Sequence, residues 1–176
     1  MDIQGAIVER KAGPVKWKNL TLSGPKANEV LIRVVASGIC HTDVGVQQQH
    51  IPAPLPIVLG HEGSGVIEEI GQGVTHFKKG DHVVISFSYC GHYKNCLEGH
   101  PSGCVQLFSL NFGGNMLDGT KRLCCENEDV STFFGQSSLS TYIVAHVNNL
   151  VLVPKMLTCA YSGRWPAEYK PGREQF

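Results

Sequence analysis

The sequence predicts a mainly β fold, a barrel or a sandwich of short strands, with a few short helices and one irregular excursion. Three observations carry that expectation: short runs of β-branched residues, glycine and proline between them, and one long polar stretch without apolar periodicity. Ala6-Ile7-Val8 is the first predicted strand, and Val30-Leu31-Ile32-Arg33-Val34-Val35-Ala36 has the β-branched content and partial alternation of another. Gly65-Val66-Ile67-Glu68-Glu69-Ile70 leads into the turn Gly71-Gln72-Gly73, and His82-Val83-Val84-Ile85-Ser86 is entered through Lys79-Gly80-Asp81. Thr141-Tyr142-Ile143-Val144 and Leu150-Val151-Leu152-Val153 close the pattern. The stretch from Gly91 to Asp129 is rich in glycine, cysteine and polar residues. It reads as an irregular lobe held by something other than an apolar core.

A length of 176 residues suits one domain with a real core, or one domain plus a tail. Fifteen basic residues balance fifteen acidic ones, which gives no electrostatic attraction to nucleic acid or to an anionic membrane surface. No uncharged apolar run approaches the ~20 residues of a membrane span. The opening Met1-Asp2-Ile3-Gln4 has no secretory pattern, so a cytoplasmic location is expected. Seven cysteines are many for a reducing compartment, and their odd number argues against full disulfide pairing. Cys90, Cys96 and Cys104 cluster as metal ligands do, while Cys40, Cys124, Cys125 and Cys159 stand apart. Gly71-Gln72-Gly73-Val74-Thr75-His76 stops after two glycines in a hairpin-like turn and makes a poor phosphate cradle.

Two short segments carry the chemistry. Gly38-Ile39-Cys40-His41-Thr42-Asp43 follows a predicted strand, and Gly60-His61-Glu62-Gly63 follows the apolar run Pro56-Ile57-Val58-Leu59. A thiolate and an imidazole at two strand ends suit Zn²⁺. On spacing alone, a buried free cysteine and an unrelated turn histidine explain them equally well.

Cys40-His41-Thr42-Asp43 and Gly60-His61-Glu62-Gly63-Ser64-Gly65 resemble two signatures of the zinc-dependent medium-chain alcohol dehydrogenases. Val30-Leu31-Ile32-Arg33-Val34, Lys79-Gly80-Asp81-His82-Val83 and Phe134-Gly135-Gln136-Ser137-Ser138 continue the resemblance in order, over about residues 1–155. Asn111-Phe112-Gly113-Gly114 with Asp118-Gly119-Thr120 looks closest to the aryl (benzyl) alcohol branch. The resemblance implies a GroES-like β-barrel that oxidises primary, aromatic alcohols to aldehydes with zinc and NAD. It implies Cys40, His61 and Glu62 around the catalytic zinc, with Asp43 behind His61 and Thr42 on the substrate hydroxyl. His41 would face the cofactor pyrophosphate, and Phe87 and Phe112 would be substrate walls or core residues. Zinc in that position acidifies an alcohol as it does water, and NAD accepts the hydride. The family's further relay histidine has no counterpart in Val44-Gly45-Val46. The partners implied are a small alcohol or aldehyde and, as in the family, further copies of the chain.

Cys90-Gly91-His92-Tyr93-Lys94-Asn95-Cys96, followed by Cys104, resembles the family's four-cysteine structural zinc loop, with Tyr93 standing where the second cysteine belongs. A phenol titrating near ~10 is a poor zinc ligand beside thiolates. His92 or water completes the tetrahedron, or zinc binds weakly, or the lobe holds no metal. The resemblance gives Cys124 and Cys125 no role.

Beyond Lys155 the family pattern continues into a Rossmann domain through a Gly-Pro-Leu-x-Cys-Gly segment bearing a third zinc-ligating cysteine. Residues 156–176 read differently, and Cys159 is out of register with that segment. Codons for Ser162-Gly163-Arg164-Trp165-Pro166-Ala167-Glu168, regrouped by one base, can read Leu-Gly-Pro-Leu-Ala-Cys-Gly. A one-base slip near Lys155, in the gene or its record, is therefore expected, with no cofactor domain and no alcohol-dependent turnover by this chain. Two rival readings are a fragment of a thiol-dependent formaldehyde dehydrogenase and a non-catalytic zinc-binding or GroES-like structural module.

Overall fold

The computed structural model describes residues 1–154. Five strands close a barrel: β1 (Asp2–Val8), β2 (Lys16–Leu22), β4 (Ile57–Val58), β7 (Leu123–Cys125) and β8 (Glu128–Thr132), in the order β1-β2-β7-β8-β4. β4 closes the ring, antiparallel to β1 and parallel to β8. A second sheet has the order β10-β6-β5-β3-β9, from β3 (Glu29–Gly38), β5 (Glu62–Ile70), β6 (His82–Ile85), β9 (Tyr142–His146) and β10 (Leu150–Val153). Three short α-helices lie among the described residues: α1 (His41–Gln47), α2 (Lys94–Leu97) and α3 (Leu107–Phe112). The mainly β expectation holds, and so does the barrel. Among the described residues no helix is long and apolar enough to cross a membrane.

Strand alternation sorts the core. On β3, Leu31 joins Ile3, Ile7, Leu20, Leu22 and Val144 in the core of the barrel, while Val30 and Ile32 point the other way, onto Ile67, Val83, Ile85 and Ile143. β3 is thus buried on both faces over Glu29–Ile32, which is why its sequence is nearly continuously apolar there. A third cluster of Val8, Val46, Ala53, Ile57, Leu59 and Phe133 packs beneath α1.

Three barrel strands, β2, β7 and β8, escaped the sequence reading for physical reasons, whereas β4 lies in the apolar run Pro56-Ile57-Val58-Leu59 expected to end in a strand terminus before His61. β2 carries Lys16, Trp17 and Lys18 outside, and only Leu20 and Leu22 are buried. β7 and β8 lie inside the stretch read as irregular; Leu123 and Val130 turn inward while Glu128 and Asp129 face solvent. Their hairpin turns through Glu126 (φ 53°) and Asn127 (φ 68°), a left-handed pair suited to a two-residue connection. The excursion therefore ends before Leu123, short of the expected Asp129. The region after residue 154, with Cys159 and the expected slip, lies outside the described residues.

Candidate metal centre

Sheet register brings the two chemical segments together. Gly38, at the end of β3, pairs with Glu62, at the start of β5. Cys40 lies two residues past that pair and His61 one residue before it, so antiparallel pairing sets both at the same sheet end. The ligand atoms of Cys40, His61 and Glu62 all lie within 4.8 Å of one another.

Local contacts fix each group. Cys40 is the residue before α1, and its N–H donates to Asp43 Oδ2 at 3.0 Å. Asp43 is 2% exposed, and its Oδ1 accepts from the Gly60 N–H at 2.8 Å. Asp43 Oδ2 also lies 3.4 Å from His61 Nδ1. That is an ion-pair separation, but the direction misses hydrogen-bond alignment, and the buried Nδ1 has no formed hydrogen bond. Gln136, 1% exposed, donates from Nε2 to the carbonyls of His61 and Ser86, both at 3.0 Å. Gly60 (φ 98°) makes the turn into His61, and a side chain there would collide with the Leu139 main chain. The imidazole packs against Phe134 (4.8 Å between centroids) and edge-on to Phe133 (5.3 Å).

The electrostatics suit a cation. Thr42, whose hydroxyl is 3.5 Å from Cys40 Sγ, holds that thiol below the ordinary cysteine range, and His61 adds to the effect against the opposing burial. Burial pulls the His61 pKa down, but Asp43 and Cys40 outweigh it and the net shift is upward. Zinc bonds of about 2.0–2.3 Å space tetrahedral donors roughly 3.3–3.8 Å apart, so this set needs only a small contraction. The donors fit zinc.

The other predicted positions fall as follows. His41 is the exposed first residue of α1, and Thr42 is half-buried beside Cys40. Phe112 packs on Phe133 and Phe134 and so adjoins the His61 cluster, whereas Phe87 pairs with Tyr89. Sequence reasoning named Gly38 and Gln136 within longer segments but gave neither a role, and it missed Phe133. The register of β3 on β5 was the signal for Gly38.

A second cluster joins Cys90, Cys96 and Cys104. Cys90 Sγ is 3.7 Å from that of Cys96 and 3.4 Å from that of Cys104. Burial opposes ionisation of Cys90, yet the main-chain N–H groups of His92 and Tyr93 bring its pKa down to about 6. Burial and the neighbouring thiols push Cys96 up. His92 lies outside the cluster; its Nδ1 is 2.9 Å from the Cys90 carbonyl and its ring lies tilted against Tyr93, 4.6 Å between centroids. Tyr93 is 44% exposed. These donors do not fit a four-sulfur zinc site. Cys124 and Cys125 lie away from both clusters, on β7.

Known proteins share this fold and much of this sequence. The alcohol dehydrogenase GroES-like domain matches residues 26–155. Geraniol dehydrogenase of Castellaniella defragrans is 49% identical over 152 residues, covering 85% of this chain and 40% of that protein. S-(hydroxymethyl)glutathione dehydrogenase of Candida maltosa is 35% identical over 158 residues, covering 86% of this chain and 41% of its own length. Among solved structures, benzyl alcohol dehydrogenase from Acinetobacter calcoaceticus superposes with TM-score 0.87 at 43% identity, covering 93% of this chain and 44% of that one. The chain spans about two fifths of the length of the curated relatives it matches. The matched domain, the barrel and these relatives together establish that the chain belongs to the zinc-dependent medium-chain alcohol dehydrogenase family, through its GroES-like domain.

Proposed function

We propose that residues 1–154 are the zinc-holding, substrate-side part of an enzyme that oxidises primary alcohols, aromatic or allylic, to aldehydes with NAD. The observation that carries this reading is the convergence of Cys40, His61 and Glu62 at the Gly38–Glu62 end of the β3–β5 pair. When bound there, zinc supplies the Lewis acidity that lowers the pKa of an alcohol. The chain's own residues hold and orient. Asp43 and Gln136 fix the two ligand-bearing segments, and Phe133 and Phe134 wall the imidazole away from water. Thr42, beside Cys40, is the residue assigned to accept the substrate's hydroxyl proton, and the exposed His41 is assigned to the cofactor pyrophosphate. The aromatic or allylic preference is supported by likeness to proteins named for geraniol and benzyl alcohol.

Zinc analysis of the purified 176-residue chain tests this. Cys40→Ser and His61→Ala are each expected to remove zinc from this centre, and retention of zinc in both overturns the reading. No strand, Gly-x-Gly-x-x-Gly turn and helix occur in sequence among the described residues. The 176-residue chain is accordingly expected to bind zinc without forming NADH from benzyl alcohol.

A second reading is favoured by the 35% identity to S-(hydroxymethyl)glutathione dehydrogenase: oxidation of a hydroxymethyl-thiol adduct at the same zinc. The ratio of kcat/KM for benzyl alcohol and for such an adduct, measured with a cofactor-binding domain fused after Lys155, separates the two. A purely structural barrel is excluded if zinc is lost from both variants.

A further inference from the structure

Cys90, Cys96 and Cys104 come from three successive pieces of chain: the loop after β6, helix α2, and the end of a short helical turn at Pro101–Gly103. Their sulfurs are far beyond the ~2.05 Å of a disulfide, and the cysteines are free. Separations of 3.4 and 3.7 Å are what thiolates sharing one central atom adopt. Cys90 and Cys104 are 7% and 6% exposed, so the sulfurs are held together by the fold rather than meeting by chance. Zinc asks for four donors. Among the described residues no fourth His, Cys, Asp or Glu joins this group, and His92 is engaged with the Cys90 carbonyl.

We propose that these three cysteines form a site for a trivalent thiophilic metalloid, arsenite or antimonite, whose coordination is complete with three sulfurs. An atom of this kind bonds three thiolates in a pyramid, and its lone pair occupies the corner that a fourth ligand would take. The reaction is a condensation without oxidation or reduction. Three S–H and three As–O bonds break, three As–S bonds form, and the protons leave with the oxygens as three waters. The product is neutral, so no uncompensated charge is left on the two buried sulfurs. Soft sulfur donors favour such an element over hard cations. The proposal rests on the three thiols alone and is independent of the reading at Cys40 and His61.

The test is native mass spectrometry of the reduced, zinc-free 176-residue chain with arsenite, together with alkylation mapping of each cysteine. Expected is one arsenic bound with loss of three protons, and protection of Cys90, Cys96 and Cys104 alone. Cys96→Ser loses the adduct, while Cys40→Ala keeps it. Outer partners alone are worth about 10–100-fold in metal affinity. Tyr93→Cys, which supplies a fourth thiolate, is therefore expected to tighten zinc at the lobe by at least about tenfold and make zinc compete with arsenite. Protection mapped to Cys124 and Cys125, or an adduct that survives Cys96→Ser, overturns the proposal. So does a wild-type lobe that holds zinc as tightly as Tyr93→Cys. Should a variant fail to fold, the protection map of the unaltered chain decides alone.

Discussion

Asp43 accepts a hydrogen bond from the Gly60 N–H at 2.8 Å, and so the helix that starts after Cys40 is tied to the turn that presents His61. Its other oxygen holds the Cys40 N–H. One buried carboxylate therefore sets the separation of Cys40 and His61, the two proposed metal donors, which are 21 residues apart in sequence.

Removing that carboxylate is expected to act on stability and on zinc. Asp43→Ala leaves two N–H groups without acceptors, of which Gly60's is buried, at about 1–3 kcal/mol each. Zinc affinity is expected to fall by about 10–100-fold, as for other residues behind a metal ligand. Asp43→Asn keeps one acceptor and should fall between the two. Urea unfolding of the zinc-free chain and competition with a chelator measure the two effects separately. A variant that binds zinc like the parent would refute the positioning role.

The opposed shifts at Cys40 and His61 predict opposite pH responses with and without zinc. In the zinc-free chain the folded-state pKa of His61 is raised. Its stabilising effect is then fully present below the unfolded imidazole pKa and is lost as pH climbs through the raised folded value. Zinc must displace the proton, so its affinity declines as pH falls through that same raised value, while the lowered thiol of Cys40 stays ionised further into acid. The His61 contribution to melting temperature, read as the difference between the parent and His61→Asn, should therefore fall with rising pH for the apo form and rise for the zinc form. Parent-minus-variant differences that run in parallel for the two forms would contradict the assignment.

Gly38 offers a way to ask whether Glu62 touches the metal. A methyl group on Gly38 would overlap the Glu62 carboxylate, whose end can swing aside, so Gly38→Ala should displace Glu62 at less than about 1 kcal/mol. Gly65→Ala is the contrast, because its new Cβ would meet the Arg33 main chain, which cannot move aside; roughly 1–3 kcal/mol is expected. Cobalt substitution reads the result. If Glu62 is a ligand, Gly38→Ala alters the visible cobalt spectrum while Gly65→Ala leaves it as it was.

Much of this was legible in the sequence, and the gaps have physical causes. β3, β5, β6, β9 and β10 form one well-covered sheet, so their apolar runs announced themselves. The barrel strands β2, β7 and β8 face solvent on one side, and two or three inward residues each are too weak a period to read. At the centre, the residue types of Cys40, His61 and Glu62 were visible, and their proximity followed once β3 and β5 paired. Gln136 could not be found this way. Its contacts with His61, Gly63 and Ser86 span 50 residues or more, and nothing local marks an amide that will be buried.

The far end of β3 is held by a buried ion cluster, which supplies the last prediction. Arg122, 2% exposed, donates from Nε to Glu29 Oε2 at 3.0 Å and from Nη2 to Glu29 Oε1 at 2.6 Å, and also reaches Asp118 at 2.9 Å. Glu29 is 3% exposed and begins β3; Arg122 immediately precedes β7. The clasp thus locks the sheet that carries Cys40 to the barrel. Arg122→Met strands the Glu29 carboxylate with only the Lys26 N–H at 2.8 Å, and about 3–5 kcal/mol should be lost. Replacing both partners, Arg122→Met with Glu29→Leu, removes the unpaired charge and should recover most of that loss, since apolar groups of similar volume often serve as well as a buried pair. Asp118, held well below the usual carboxylate range by Thr120, Arg122 and Lys26 against its partial burial, is 40% exposed at the side chain and should matter far less when changed to Asn. Urea midpoints of the three variants order these contributions, and a double variant no more stable than the single one would show that β3 depends on the charges themselves.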